Sequence, residues 1–341
     1  MSEEGTTPST KRIRVLWNAN AGSKGGISTN STGEPALREL MDRHGLGDDL
    51  VASSSEEEGI EATRDACKSG YDVVVAAGGD GTVRLAATHL LESDTSLGIL
   101  PMGSVMNIAR MLGISRDLEE AAATIAAGCT RRIDVGMCRQ EPFFEGASVG
   151  MNAAIFKQVQ QADEGDYRGI ARAIRTAFRY RPARMVVGLD DGTFRTRALM
   201  ITVSNGPYTG AGFTVAPDAR LDDGRFDISV FRHFSKLDLI RHFGSIAFGR
   251  RAYSPHVRTY RSRRVRIEGS RSLPARADSE DLGATPVEFV TQHQVLSVIV
   301  PRDPLPGAAR VPGRGKRPRA SRDGKGAVGM AQRLRSLEVS T

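Results

Sequence analysis

The apolar pattern of the chain is densest between residues 71 and 91. Residues 71–77 are almost continuously apolar and rich in β-branched side chains, which is typical of a parallel strand covered on both faces. Leu85, Thr88 and Leu91 follow at helical spacing, and residues 78–82, with three glycines, join the two patterns. The stretch is therefore predicted to form a strand, a glycine loop and a helix.

The same alternation extends through the first 130 residues. Strands are predicted at residues 13–17, 50–52, 71–77 and 97–100, and helices at residues 35–44, 57–68 and 118–127, with one more after each of the glycine-bearing loops 78–82 and 101–107. This order indicates an α/β fold with a doubly wound parallel sheet, whose ligands bind at the carboxyl ends of the strands. A third glycine-rich turn, at residues 18–26, follows the first strand, so all three loops are expected at that edge.

Beyond residue 131 the pattern changes to strands separated by turns. Strands are predicted at residues 132–138, 143–149, 185–189, 196–204, 225–231, 263–268, 286–290 and 295–300, and helices at residues 166–180 and 237–248. This pattern predicts a second, mostly antiparallel β domain, either a sandwich or a flattened barrel.

The predicted organisation has four parts. A disordered start at residues 1–10 precedes an α/β domain at residues 11–131 and a β-rich domain at residues 132–293. Residues 294–301 form a last strand that could return to the first domain. The tail at residues 302–341 is rich in Pro, Gly, Arg and Lys and is predicted to be disordered.

Composition narrows the class of protein. No apolar run approaches the roughly 18 residues of a membrane-spanning helix, and the start lacks the apolar core of a signal peptide, so a cytoplasmic protein is expected. Three widely spaced cysteines indicate neither a disulfide framework nor a zinc site. The formal charge is +7, but residues 302–341 hold ten Lys or Arg against three acids, so the basic excess belongs to the tail.

The glycine loop at residues 78–82 suits a phosphate group. Glycines let backbone N–H groups approach a ligand closely, and the helix that begins there presents free N–H groups and the positive end of its dipole. The alternative is a strand-to-helix turn whose glycines only solve a packing problem. Short glycine patterns alone do not separate the two interpretations.

Further motifs decide between them. The chain contains, in this order, the Gly22 turn, GGDGTV at residues 78–83, LGILPMGSVMNIAR at 97–110, RRIDVG at 131–136, FFEGASVG at 143–150, SNGPYTGAGFTVAPDARLDDGRFD at 204–227 and ADSE at 277–280. Together they resemble the soluble bacterial diacylglycerol kinase and lipid kinase family, which is related to sphingosine kinases and NAD kinases. The resemblance covers almost everything from residue 12 to residue 301. It implies an NAD-kinase-like α/β domain followed by a β-sandwich domain that completes the active site.

The chain departs from the family pattern at three places. An asparagine–proline opening appears as Asn18-Ala19. A threonine, asparagine and aspartate triplet appears as Ser104, Asn107 and Ile108, so that a carboxylate commonly seen after the asparagine is missing. The Asp-Gly-Glu near the end is Asp278-Ser279-Glu280, which keeps both acids and loses the glycine. These changes could alter the choice of substrate or weaken catalysis.

The resemblance implies an ATP- and Mg²⁺-dependent lipid kinase that phosphorylates a hydroxyl of diacylglycerol or a similar lipid. The residues it implies for nucleotide binding are Gly78, Gly79, Asp80, Gly81, Thr82, Val83 and Arg84, flanked by Ser104 and Asn107, with Asn18, Gly22, Ser53 and Ser54 from the neighbouring strand ends. Phosphoryl transfer needs the phosphates to be neutralised and held in line with the incoming hydroxyl. The carboxylate of Asp80 would repel phosphate, so it is assigned to magnesium or to organisation of the site, with a structural role in the turn as the alternative.

Asp278 is the candidate base for the acceptor hydroxyl, and Glu280 is a second candidate. The alternative for Asp278 is a solvated acid in a surface stretch. A structural magnesium is predicted at Asp223, with backbone carbonyls at Arg220 and Arg225; a solvated acidic turn is the alternative.

The arginines at positions 168, 172, 175 and 179 recur at helical spacing and could face the anionic surface of the inner membrane, or simply water. Arg258, Arg261, Arg263, Arg264 and Arg266 form a second, more diffuse cluster. Nucleic-acid binding is not indicated because no aromatic residues interleave with the basic tail. Oligomeric state is not indicated either.

Two other functions remain open: an NAD-kinase-like phosphotransferase, or a catalytically weak regulator that binds nucleotide or lipid.

Overall fold

The computed structural model describes residues 11–18, 23–24, 27–28, 33–156, 172, 175–176, 179–210, 213–232 and 257–303. All of them belong to one compact unit, Met1–Arg310. The predicted disordered start, the predicted helix at residues 237–248 and nearly all of the basic tail lie outside the described residues. No helix within the described part of the chain is long and apolar enough to cross a membrane.

The first half is a parallel sheet covered by helices. Its strands are β1 (Ile13–Asn18), β4 (Leu50–Ser53), β5 (Val73–Gly78) and β6 (Ser96–Pro101), in the spatial order β4-β1-β5-β6, with a two-residue pair β2 (Ser23–Lys24) and β3 (Ile27–Ser28) after β1. The helices are α1 (Glu34–His44), α2 (Glu56–Lys68), α3 (Asp80–His89), α4 (Asn107–Met111) and α5 (Leu118–Ala127). Every residue of β5 and β6 is buried, as expected for central strands covered on both faces.

Local signals in the sequence explain where the helices begin. The hydroxyl of Ser55 accepts a hydrogen bond from the Glu58 N–H at 3.2 Å and so caps α2. The Asp117 carboxylate caps α5 in the same way, through the Glu120 N–H at 3.0 Å. These caps satisfy backbone groups that the first turn of a helix leaves without partners.

The second half is almost entirely strand. Its elements are β7 (Cys129–Cys138), β8 (Glu141–Phe143), β9 (Gly146–Gly150), β10 (Ala183–Leu189), β11 (Gly192–Ser204), β12 (Tyr208–Thr209), β13 (Phe213–Thr214), β14 (Phe226–Arg232), β15 (Val257–Ser262), β16 (Arg264–Gly269), β17 (Pro274–Ala277), β18 (Glu280–Ala284) and β19 (Val287–Val300). All pairings among these strands are antiparallel. Residues 151–156 are helical, and so, within the predicted helix at 166–180, are residues 172, 175, 176 and 179.

One strand joins the two halves. β19 is a single strand of 14 residues, so the prediction of separate strands at 286–290 and 295–300 is wrong. A register shift between Gln292 and Leu296 bends the strand but does not end it, because pairing with β7 continues on both sides. Beyond the shift, Val298 pairs with Leu97 of β6 in parallel. The result is one 15-stranded sheet that runs through both halves.

Each half nevertheless has its own hydrophobic core. The first core packs the helices on the parallel strands, and the second lies among β7 to β19. Phe143 stacks on Phe226 with ring centroids 5.6 Å apart and meets Phe289 edge-on at 5.9 Å in this second core. The predicted class is confirmed: a doubly wound parallel sheet is followed by a mostly antiparallel β-rich region.

Candidate functional site

Two glycine loops meet at the carboxyl ends of β5 and β6. Gly79 is the N-cap of α3, and a Cβ at Gly103 would lie 2.7 Å from the Gly79 Cα, closer than real side chains approach. A Cβ at Gly78 would collide with the Thr82 side chain. Glycine at position 103 therefore lets the two backbones touch, and glycine at position 78 lets the helix turn back over the strand.

A cavity of about 620 Å³ opens beside the first of these loops. Seven residues predicted to bind nucleotide line it: Asn18, Ser53, Ser54, Gly79, Gly81, Thr82 and Arg84. Val83 is fully buried beneath it, and Gly78 ends the buried strand. Gly22 lies outside the described residues. The fold therefore gathers most of the predicted set, drawn from three strand ends, around one space.

The two ends of this cavity differ in charge. At one end, α3 begins at Asp80, Asn18 Nδ2 donates to Thr82 Oγ1 at 3.3 Å, and Arg84 is half-buried. At the other end, α2 begins with Glu56, Glu57 and Glu58, and the Ser54 N–H and hydroxyl both donate to a Glu58 oxygen, at 2.8 and 2.9 Å. An anion is favoured at the first end and repelled at the second.

Asp80 organises the junction of the two loops. Its Oδ2 accepts the Met106 N–H at 2.8 Å, at the residue that caps α4, while Oδ1 is buried and accepts no hydrogen bond from the part of the chain that the structure describes. Burial raises the pKa of Asp80, and the N–H groups of Met106, Ile108 and Asn107 oppose that rise. Of the three predicted roles, which were magnesium binding, organisation of the site and a structural role in the turn, this geometry supports organisation of the site.

The two predicted nucleotide-binding residues of the second glycine loop, Ser104 and Asn107, have different surroundings. Ser104 is exposed, and its carbonyl accepts a hydrogen bond from Arg116 at 2.8 Å. Asn107 is buried, and its Nδ2 donates to Glu145 Oε2 at 2.9 Å and to the Gly210 carbonyl at 2.7 Å. Neither residue lines the large cavity. Asn107 instead links the loop to the β-rich half.

Asp278 is buried at the turn between β17 and β18, with a left-handed φ of 45°. Its Oδ2 accepts the Phe144 N–H at 2.7 Å, and its Oδ1 accepts the N–H groups of Glu145 and Gly146, each at 3.0 Å. Burial raises the pKa of Asp278, and these three N–H groups oppose that rise. The solvated alternative for Asp278 is wrong.

The same contacts explain a second correction. Residues 143–149 are not one strand, because the chain leaves β8 after Phe143 and enters β9 only at Gly146. The two residues between them turn their N–H groups towards Asp278 instead of a neighbouring strand. The strand break is therefore part of the site.

Glu280 contacts Arg84, one of the residues that line the 620 Å³ cavity. Its Oε1 pairs with Arg84 Nη2 at 2.8 Å, so a predicted catalytic residue and a predicted nucleotide-binding residue touch each other. Both side chains are partly exposed, so the pair itself adds little to stability. It connects β18 of the second half to α3 of the first.

Glu145 belongs to this site although the sequence analysis did not select it. Its Oε2 accepts hydrogen bonds from Asn107 Nδ2 at 2.9 Å and from the Gly210 N–H at 3.0 Å. Burial, and then the charges of Asp278 and Asp80, raise the pKa of Glu145 to about 8. Its place within FFEGASVG was the only available signal, because its partners come from distant parts of the chain.

The predicted magnesium turn is held by an arginine. Asp223 Oδ1 accepts the Arg225 N–H at 3.1 Å, and Arg261 Nη2 donates to Asp223 Oδ2 at 2.5 Å and to Asp227 Oδ2 at 3.4 Å. Arg220 pairs with Asp222 at 3.1 Å. Among the described residues, no three His, Cys, Asp or Glu side chains form a cluster able to hold a metal. The oxygen donors suit a hard cation, but one would have to compete with Arg261 for Asp223.

Asp134, from the RRIDVG motif, lies behind this turn and was also missed. It is buried, and it accepts the Gly224 N–H at 2.6 Å, the Gln294 N–H at 2.8 Å and His293 Nδ1 at 2.7 Å. Burial raises the pKa of Asp134, and these hydrogen bonds oppose the rise. The residue fixes the acidic turn to the bend in β19.

Arginines also surround a second cavity, of about 490 Å³, away from the glycine loops. They are Arg172, Arg175, Arg179, Arg181 and Arg271, beside Thr176 and Tyr180. The other predicted cluster is largely neutralised, because Arg261, Arg264 and Arg266 pair with acids. Arg168 lies outside the described residues.

Comparison with known proteins finds relatives of both halves of the chain. Residues 12–138 match the diacylglycerol kinase catalytic domain, and residues 146–300 match the YegS C-terminal NAD kinase beta sandwich-like domain. The chain is 25% identical over 299 residues to a diacylglycerol kinase of Bacillus subtilis, covering 86% of this chain and 97% of that protein. It is 30% identical over 213 residues to a Chromohalobacter salexigens protein named "Probable lipid kinase YegS-like", covering 60% of this chain and 68% of that one.

A solved structure, of a diacylglycerol kinase from Bacillus anthracis, superposes with a TM-score of 0.67 at 17% sequence identity. The alignment covers 87% of this chain and 99% of that one. At this identity the similarity concerns the fold.

Proposed function

Because the chain belongs to the bacterial lipid kinase family that carries the diacylglycerol kinase catalytic domain, we propose that it transfers the γ-phosphate of ATP to a hydroxyl of diacylglycerol or a similar lipid. Family membership indicates a phosphotransferase. The use of ATP and Mg²⁺ and the identity of the lipid substrate are what we propose. The observation that carries it is the cavity beside Gly79, which three strand ends line with predicted nucleotide-binding residues.

The charge difference along the cavity suggests how ATP would lie. The phosphates belong at the start of α3, where backbone N–H groups, Thr82 and Arg84 can bind them. The ribose and base belong towards Ser53 and Ser54, because the acidic start of α2 repels phosphate but can accept hydrogen bonds from hydroxyl and amino groups. Mg²⁺ bound with ATP would supply positive charge to the transferring phosphoryl group.

The acceptor hydroxyl must lose a proton during transfer. We propose that the loss of this proton depends on the carboxylate of Asp278, with Glu280 as the second candidate. Asp278 is buried close to the glycine loops, in a setting that raises its pKa. A perturbed acid at a cleft is a candidate for acid–base chemistry.

The proposal is tested by following labelled phosphate from ATP into a panel of lipids and into NAD, with native protein and with Asp278→Asn. We expect transfer to a lipid hydroxyl and a loss of about 100-fold or more in the variant. Transfer to NAD alone would favour the NAD-kinase alternative. ATP binding without any transfer would favour a regulator, and full activity of Asp278→Asn would remove that residue from the chemistry.

Contact with an anionic membrane surface is the proposed route to a lipid substrate. The arginines around the second cavity are exposed at positions 172, 175, 179 and 271, where they could meet lipid phosphates. Arg175→Glu with Arg179→Glu should weaken sedimentation with phosphatidylglycerol vesicles, whereas the same change at the exposed Arg195 and Arg197 should not. Equal losses in both pairs would indicate a general effect of charge.

A further inference from the structure

Glu145 lies at the point where the two halves of the active site meet. Its main-chain N–H donates to Asp278 Oδ1 at 3.0 Å, and its side chain reaches Asn107 of the second glycine loop at 2.9 Å. The two hydrogen bonds to its side chain both end on Oε2. Of the described residues, none donates to Oε1, so one oxygen of this carboxyl is available to a ligand.

The charged groups around Glu145 are mainly acidic. Asp80 faces it from the start of α3 and Asp278 from the turn after β17, and both charges favour the protonated form. The charge of Arg276 of β17 acts on Glu145, but its guanidinium donates to the carbonyl of Asp278 and lies 3.3 Å from the ring centre of Phe156. Arg84, which also acts on Asp278, is paired with Glu280. Glu145 therefore has no ion-pair partner among the described residues.

The side-chain oxygens of Asp278 differ from those of Glu145 in the hydrogen bonds that they accept. Both of them accept main-chain N–H groups, three in all, and such bonds favour the ionised form. Although burial raises the pKa of Asp278, a carboxylate with both oxygens engaged in this way is less open to a proton than one with a free oxygen. Glu145, with one oxygen free and an acid on either side, is the member of the pair whose protonation can change.

We propose that Glu145 is a catalytic residue of the phosphoryl transfer, whose Oε1 accepts the proton of the acceptor hydroxyl while Asp278 remains ionised beside it. This inference rests on the lipid kinase function and refines its acid–base chemistry. Asp278 then acts as the charge that makes Glu145 basic, and loss of activity in Asp278→Asn is expected in either case.

The proposed step balances in protons and electrons. The acceptor oxygen forms a bond to the γ-phosphorus of ATP, and the bond from that phosphorus to the bridging oxygen of ADP breaks, its electron pair leaving with ADP. The hydroxyl proton moves to Glu145 Oε1, which turns the carboxylate into a carboxylic acid. Release of that proton to water after the product leaves restores the site.

The test is Glu145→Gln, because the amide carbonyl can still accept hydrogen bonds from Asn107 and Gly210 while the titrating proton is lost. We expect kcat for lipid phosphorylation to fall about 100-fold or more, with KM for ATP within about twofold of the native value. In native protein kcat/KM should rise with pH through about 8, and Asp278→Asn should move that rise to lower pH. Glu145→Asp, which keeps the acid, should retain a pH-dependent rise at reduced kcat.

Glu61→Gln, a change at an exposed glutamate of α2, is the matched control and should behave as native protein. The inference is overturned if Glu145→Gln keeps kcat within about threefold of native with the same pH profile. If native protein phosphorylates no lipid, the proposed function fails by itself. In that case the titration of Glu145 is tested by thermal unfolding. If the difference in melting temperature between native protein and Glu145→Gln does not change with pH, Glu145 does not titrate in this range and the inference fails.

Discussion

Replacing Glu145 with glutamine should change the way that stability depends on pH. The pKa of Glu145 is about 8 in the folded protein against an ordinary value of 4.5. Below pH 4.5 the side chain is protonated in both the folded and the unfolded state, so ionisation does not affect folding. Between pH 4.5 and about 8 the unfolded chain ionises and the folded protein does not. Stability therefore falls with rising pH across this window.

The size of the effect follows from the two pKa values. One pKa unit corresponds to about 1.4 kcal/mol, so a shift from 4.5 to about 8 is worth up to about 5 kcal/mol at pH 8 and above. For a cooperative unit of about 300 residues, an unfolding entropy of about 2 cal/mol/K per residue converts this to about 8 °C in melting temperature. Glutamine does not titrate, so the variant lacks this loss.

The assay is thermal unfolding of both proteins at half-unit steps from pH 5 to pH 9 at fixed salt, with Glu61→Gln alongside. The melting temperature of Glu145→Gln should rise relative to native protein as pH increases, and the difference should level off above pH 8. Because Asp278 contributes to the shift, Asp278→Asn in the native background should reduce the slope. A constant difference between pH 5 and pH 9 would refute the burial and charge argument.

Two other predictions concern the glycine loops and the acidic turn. Gly103→Ala should cost about 1–3 kcal/mol of unfolding free energy and weaken ATP binding, because its Cβ would lie 2.7 Å from the facing Cα of Gly79. Gly81→Ala, whose Cβ would meet nothing within 4 Å, should leave the unfolding free energy unchanged or higher in the same denaturation assay. If Asp223 holds a structural Mg²⁺, millimolar Mg²⁺ should raise the melting temperature of native protein and not that of Asp223→Ala, whereas an equal rise in both would place the ion elsewhere.

Much of the first half could be predicted from the sequence because its signals are local. The apolar run that became β5, the capping residues Ser55 and Asp117, and the glycine at position 79 each act within a few residues of the chain. The helix at Leu118–Ala127 was predicted with its observed bounds for the same reason. Whether one of these segments forms a strand or a helix is therefore decided mainly by residues that are close to it in the sequence.

The second half was predicted less well because its strands are defined by partners far along the chain. The bend at Gln294 looks like a turn in the sequence, yet β19 continues through it, since β7 pairs with both sides of the bend. In the same way, the chain leaves the sheet between β8 and β9 to bind Asp278, which lies more than 130 residues later.

By itself, the sequence determined the fold class and the family, and it predicted a phosphate-binding glycine loop, through motifs whose residue types act locally or in order. Only the tertiary structure decided which of several acids form the site. Burial, and the closeness of Asp80, Asp278 and Asn107 to Glu145, depend on elements that are distant in the chain. A carboxyl group acquires an unusual pKa from such surroundings, and these are absent until the chain folds.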